Sequence, residues 1–409
     1  MDKPVALVAS RFRRLRSAGQ KTSREARPSL IYGTQIKWKK SDFYKNSSTI
    51  IDGKITYHMF SETDNAEHAR LKRPVVRHHA MSSVLTMEPL MDKSIAELCD
   101  HLERRFVDTG KPCLFGDWLS YYAWDLVGLV TFGKKFGYMD KGRDFDGTLA
   151  IGDQTIDYFS MCGQMPWMDH LLDKNPLYHL GPPNLSKVTR IAIESLTARL
   201  KGEDGFDPEK PDFLQYFIES RETHPEIVDN GTIIGYLLLN LLAGADTTAT
   251  TMRALFYHCL KNPRIWERLE SEIVANIPGD EPAPHAAARA LPYLEAVCRE
   301  TLRSVVPAGS LVGMNPYVLG RNGSDSEDDE AYKLRMRQWN AADIVFGGGS
   351  RICLGRNLSM VELYKIVPSL VSRFEIQLMD TEEKLWTSSR WFYRTQGITC
   401  PLSRRTHKV

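Results

Sequence analysis

Fifteen consecutive residues without a charge, Gly231–Ala245, lie at the front of a longer segment, Thr232–Leu260, that reads as one helix until Asn262-Pro263 stops it. A helix this long and this apolar must be covered on most of its sides. A bilayer span needs about 20 apolar residues, so the segment predicts a buried core helix. Helical periodicity continues on either side of it. Met91–Phe106, Asp117–Phe132 with Asp117 as N-cap, Asp212–Glu222, Arg264–Ala275 and Leu354–Phe374 all read as helices, and 284–304 reads as two helical pieces broken near Pro292. Few runs alternate as strands do. The fold class is therefore mainly α with a small β component.

Composition narrows the function. The chain has 409 residues, 42% hydrophobic and 25% charged, which excludes disorder or coiled coil as a description of the whole. Lys and Arg number 53 against 51 Asp and Glu, and a net charge of +2 gives no field that would recruit nucleic acid. Seven cysteines, at 99, 113, 162, 259, 298, 353 and 400, include no CxxC pair. That argues against a disulfide framework or a zinc ribbon and fits a reducing compartment. Residues 1–28 hold eight Lys/Arg against Asp2 and Glu25 and predict a disordered basic segment, although a transit peptide has the same composition. From about residue 29 to 409 nothing forces a domain boundary. Segment 321–330 is acidic and polar and predicts a mobile loop.

The sharpest local signal is Phe346-Gly-Gly-Gly-Ser-Arg-Ile-Cys-Leu-Gly355, running straight into a helix. It is no phosphate loop, because no Lys-Ser/Thr follows the glycines. Its glycine offsets also fail the dinucleotide fingerprint. An isolated cysteine is often just a small buried hydrophobe. Here, however, Cys353 stands before a helix whose N-terminal N–H groups stabilise a thiolate. The glycines let the backbone fold tightly around the sulfur and approach a flat ligand. Arg351 can pair with an anionic group at that ligand's rim. One thiolate on iron inside an apolar helical shell is a haem-thiolate site.

Phe346, Gly347, Gly349, Arg351, Cys353 and Gly355 all match the haem-binding signature of the cytochromes P450. The chain resembles a fungal monooxygenase of that family, close to the pisatin demethylase-like group. Ala243-Gly244-Ala245-Asp246-Thr247-Thr248 resembles the family's oxygen-activation segment. By that resemblance Gly244 leaves room for dioxygen, and Asp246 with Thr247 forms the acid–alcohol pair that relays protons. Glu300-Thr-Leu-Arg303 matches the ExxR motif, a structural ion pair with both charges on one helix face. His68 and Lys72 fall where the family's propionate-holding helix carries Trp-xxx-Arg, and both can donate to a carboxylate.

The resemblance implies haem b, electrons from NADPH through a flavoprotein reductase, dioxygen, and a small lipophilic substrate that is hydroxylated or O-dealkylated in secondary metabolism or detoxification. Arg356, Lys365 and Arg373 are candidates for the reductase face. A substrate-access lid is expected near 155–185. The family usually sits on the endoplasmic reticulum membrane. This chain shows no anchor, which leaves a membrane-surface or a cytoplasmic location. It also departs from the family between Arg303 and Cys353, where its text is short and the Pro-x-Arg segment that completes the Glu300–Arg303 network is missing. The alternative reading is therefore a shortened, catalytically impaired haem-binding remnant, with Glu300 and Arg303 stranded as charges in the interior.

Overall fold

The computed structural model describes residues 39–51, 53–178, 180–181, 186–304 and 345–405. The basic segment 1–28, the acidic stretch 321–330 and the whole of 305–344 lie outside them. The chain groups into two compact units, Met1–Trp38 with Ala308–Ile352, and Lys39–Pro307 with Cys353–Val409. Of the first, residues 345–352 are the described part.

The larger unit is helical, as the periodicity requires. Its helices are α1 (Asn65–Lys72), α2 (Met81–Leu85), α3 (Glu88–Leu102), α4 (Phe115–Phe132), α5 (Tyr138–Lys141), α6 (Thr148–Gln164) and α7 (Pro166–Leu171). They continue with α8 (Ser186–Lys201), α9 (Phe213–Thr223), α10 (Asn230–Leu260), α11 (Pro263–Asn276), α12 (His285–Arg289), α13 (Pro292–Ser304) and α14 (Arg356–Arg373). Among the described residues, six short strands, β1 (Thr49–Ile51), β2 (Lys54–Thr56), β3 (Phe374–Ile376), β4 (Trp386–Ser389), β5 (Tyr393–Gln396) and β6 (Leu402–Arg404), pair antiparallel as β1–β2, β3–β6 and β4–β5.

Helix α10 is the predicted core helix. Asp229 caps it, its carboxylate accepting from the Thr232 N–H at 2.7 Å. Pro263, which opens α11 after Asn262, marks its end. By length and composition α10 could cross a membrane. In the fold it is a core helix, laid most extensively along α4 and also touching α8, α9, α11, α13, α14 and β5. Helix α9 starts where expected, with the Asp212 carboxylate accepting from the Gln215 N–H at 2.8 Å. The same carboxylate pairs with Arg199 at the end of α8, at 2.6 Å.

Helix α4 corrects one expectation. It begins at Phe115, so Asp117 lies inside its first turn rather than at the cap. The early start is set by a distant part of the chain. Cys113 and Cys400 form an antiparallel bridge with both N–H···O bonds at 2.8 Å, and the Gly116 N–H donates to the Ile398 carbonyl at 3.2 Å. The Arg253 guanidinium then joins three elements, donating to the Gly116 carbonyl (2.8 Å), the Thr395 carbonyl (2.5 Å) and the Ser120 hydroxyl. A Cβ on Gly116 would sit 1.9 Å from the Gly397 carbonyl oxygen. Because the obstacle is backbone, Gly116→Ala destabilises the fold by about 3 kcal/mol or more. A thermal melt within a degree of wild type would refute that contact.

Candidate active site

Cys353 stands three residues before α14, and its side chain is exposed. Crowding by the protein behind it pushes the thiol up, while the N–H groups of Gly355 and Arg356 and the Lys72 charge pull it down. The sulfur is thus turned outward from a helix N-terminus that already offers it two donors. A Cβ at Gly355 would lie 3.8 Å from Sγ, an ordinary contact. Gly355 is therefore compatible with the sulfur but not sterically demanded by it.

The start of α14 is tied to the segment after α1. The Asn357 amide donates to the His79 carbonyl at 2.8 Å. Lys72 ends α1 and is near enough to act electrostatically on both Cys353 and His79. His68, four residues earlier, is buried. The fold thus brings Lys72 toward the cysteine, as its sequence position suggested. Asn357 was not anticipated, because nothing in the sequence pairs it with a carbonyl at residue 79.

Gly347 and Gly349 have φ of 74° and 58°, a region open to glycine at little cost. Gly349–Arg351 forms one 3-10 turn, closed by an Ile352 N–H to Gly349 carbonyl bond of 3.4 Å. Phe346 and Arg351 are partly buried.

Helix α10 carries the expected acid–alcohol segment. It is covered nearly all round, yet Ala243 and Thr247, one turn apart, are both exposed. The Thr247 hydroxyl donates to the Ala243 carbonyl at 2.8 Å. Asp246 points elsewhere. Its Oδ1 accepts from the Trp124 indole N–H at 2.9 Å. Burial pushes its carboxyl up to about 6, with the indole pulling down, Asp153 pushing up, and Arg253 and Arg394 pulling down. The two members of the expected pair are neighbours in sequence whose side chains take different partners. At Gly244 a Cβ would meet Val127 Cγ2 at 2.7 Å, so the missing side chain lets α4 approach at this turn.

Comparison with known proteins places this arrangement. The cytochrome P450 family pattern matches residues 27–314 and 304–401. The chain belongs to the cytochrome P450 family. It is 37% identical to a cytochrome P450 monooxygenase, cfoH, of Aspergillus candidus, over 90% of this chain and 76% of that one. It is 31% identical to cicH of Emericella nidulans, over 88% and 80%. The crystal structure of the cytochrome P450DA heme domain shares the fold, with a TM-score of 0.67 at 17% identity, covering 85% of this chain and 80% of that one.

The P450 family implies haem, and the residues present fit it. The outward-facing sulfur with two backbone donors is the thiolate ligand such a group needs. Lys72 carries a charge that suits a propionate, and the Ala243–Thr247 stripe leaves one side of α10 open. Other expectations change. Glu300 is exposed, so it is not a charge stranded in the interior; the Arg303 side chain lies outside the described residues. Lys365 is 0% exposed and holds Glu88 and Asp92, each at 2.7 Å. Arg373 pairs with Glu103 at 2.9 Å. Neither is a free charge on a docking face; of the three candidates, Arg356 alone is exposed.

Proposed function

We infer that this cytochrome P450 is a haem-dependent monooxygenase that places one atom of dioxygen into a small lipophilic molecule. The observation that carries the reading is the Cys353 thiol, exposed at the start of α14 within an unbroken signature. The relatives' names as cytochrome P450 monooxygenases support it, and their fungal sources suit secondary metabolism. The haem, when bound, supplies dioxygen reduction and the oxidising equivalent. The chain's own residues do the rest. Cys353 would hold the iron as a thiolate, assisted by the Gly355 and Arg356 N–H groups. Lys72 would offer its charge to a propionate, and Arg351, in the cysteine loop, is by its place in the signature a second propionate partner. Asp246 is the acid of the segment, and the Thr247 hydroxyl, on the open stripe, is the proton-bearing group nearest the ligand side; their side chains take different partners here, so a proton passes between them only through an intervening water. Hydroxylation and O-dealkylation both follow from such an insertion, and an inactive remnant is the weaker reading because the donor set is intact.

Electrons come from NADPH through a flavoprotein reductase. The endoplasmic reticulum surface is the proposed location, supported by the run of exposed apolar residues across α6, α7 and the following segment: Met161, Trp167, Leu171, Leu177, Tyr178 and Leu180. Large apolar side chains exposed this close together in sequence suit an interaction surface, and they fall in the expected lid region.

Purified protein with reductase and NADPH, screened against apolar aromatic compounds under labelled dioxygen, tests the reading. Product carrying one labelled oxygen is the expected result; haem-replete protein that releases only reduced oxygen species would overturn it. In Thr247→Ala, NADPH is still consumed while product per NADPH falls about tenfold or more. An unchanged ratio removes Thr247 from the proton path.

A further inference from the structure

Asp246 has one direct hydrogen-bond donor among the described residues, and it is neither a lysine nor an arginine. Trp124, 3% exposed on α4, donates its indole N–H to Oδ1 at 2.9 Å. Its ring is fixed in turn by Phe136 and Tyr138, with centroids at 6.2 Å in both cases and edge-to-face geometry. The charges that face the carboxyl come from three elements: Arg253 on α10 itself, Asp153 on α6 and Arg394 on β5. Each is engaged elsewhere. Arg394 pairs with Asp153 at 2.7 Å and with Asp157 at 2.5 Å, and Arg253 is spent on Gly116, Ser120 and Thr395. The second carboxylate oxygen, Oδ2, lies under α6, 3.9 Å from where a Cβ on Gly152 would be, and no side chain at 152 covers it.

We propose that Trp124 is a positioning residue for Asp246, its indole N–H fixing one carboxylate oxygen against α4 and leaving the other free to gain and lose a proton beneath Gly152. This rests on the reading of Asp246 as the proton-donating acid. The chemistry of the donor matters. An indole N–H cannot accept a proton and carries no charge. It orients the carboxylate and steadies the ionised form without locking it there, as an arginine would. A carboxyl held this way titrates close to neutral, where a proton donor is most effective. The half-buried Asp246 carboxyl, pushed up to about 6, is in that range.

The test uses the full-length holoprotein in its diamagnetic ferrous–carbon monoxide form, labelled at the indole nitrogens, and follows the eight tryptophan N–H signals from pH 5 to 8. One signal is expected to titrate with a midpoint near 6. It is absent in Trp124→Phe and present but flat in Asp246→Asn. A Trp124 signal that does not move, or that titrates unchanged in Asp246→Asn, overturns the proposal. Kinetics give a second readout. Loss of the donor to the carboxylate raises the Asp246 pKa, so in Trp124→Phe the alkaline limb of product per NADPH moves up by about one to two pH units. A uniform loss of activity with the limb unmoved means a merely structural tryptophan and also overturns it. The two readings fail separately: if Asp246→Asn leaves product per NADPH intact, Asp246 is not the acid, whereas the indole titration decides the Trp124 contact on its own.

Discussion

Cys353→Ser removes the thiolate-type Soret band of the reduced, carbon monoxide-bound protein completely, while the far-ultraviolet circular dichroism stays that of the wild type. The expectation follows from how the seven cysteines are disposed. Cys99, Cys113, Cys162, Cys259, Cys298 and Cys400 are buried, and burial pushes all six thiols up, four of them to about 12. Cys353 alone is exposed. No other sulfur is available to replace it, and a serine hydroxyl does not deliver the same electron density to iron. Fold and ligation are separable here because α14 is anchored through residues other than the cysteine: Lys365 to Glu88 and Asp92, and Asn357 to the His79 carbonyl. Cys162→Ala, in a small cluster with Tyr158 and Phe159, is the matched control and keeps the band. A thiolate band surviving in Cys353→Ser would end the haem-ligand assignment.

The second large effect is on stability and its dependence on pH. Glu362, on α14 and 4% exposed, has a buried Oε1 with no hydrogen-bond partner among the described residues, and burial pushes its carboxyl up to about 8. The sign follows directly. Between the unfolded value near 4.5 and the folded value near 8 the native protein binds more protons than the unfolded chain, so stability falls as pH rises across that window. Above about pH 8 the accumulated penalty is on the order of 4 kcal/mol. Glu362→Gln keeps the shape, removes the ionisation, and leaves an amide whose own desolvation offsets part of the gain. Denaturant unfolding at pH 5 and pH 9 therefore shows a variant that is close to wild type in acid and more stable by about 2 kcal/mol or more in alkali. Parallel curves for the two proteins across that range would show that Glu362 has a partner and is not the neutral acid described.

Much of this was legible in the sequence because it is local. The length and apolarity of α10 declared a core helix, and Asn262-Pro263 marked its end to within a turn, whereas the Asp229 cap at its start was not read. The break at Pro292 separates α12 from α13 as the proline requires. The cysteine loop announced its ligand by residue type and order alone. What could not be read was decided by contacts across the chain. Lys365 looks like one more basic residue on a helix face, and only the arrival of Glu88 and Asp92 makes it an interior cation. Gly244 sits in a motif that suggested space for a ligand, and nothing in that motif announces the close approach of Val127 at the same turn. The indole on Asp246 comes from 122 residues away, and an aromatic in an apolar helix gives no sign that its one polar atom is committed.

The bridge between Cys113 and Cys400, with Gly116 against Gly397 and Arg253 reaching Thr395, carries a consequence for how the protein is made. The first turn of α4, the helix packed most extensively on the central helix, is completed only by residues near 400. On the ribosome, α4 and α10 emerge long before the strand that closes them, and their apolar faces wait uncovered during that interval. Contacts of such long sequence separation delay the cooperative step until the late residues are free of the exit tunnel. Synthesis of this chain therefore depends on protection of a nearly finished core, and a slow stretch of translation before residue 393 would expose it to aggregation more than one at any earlier point.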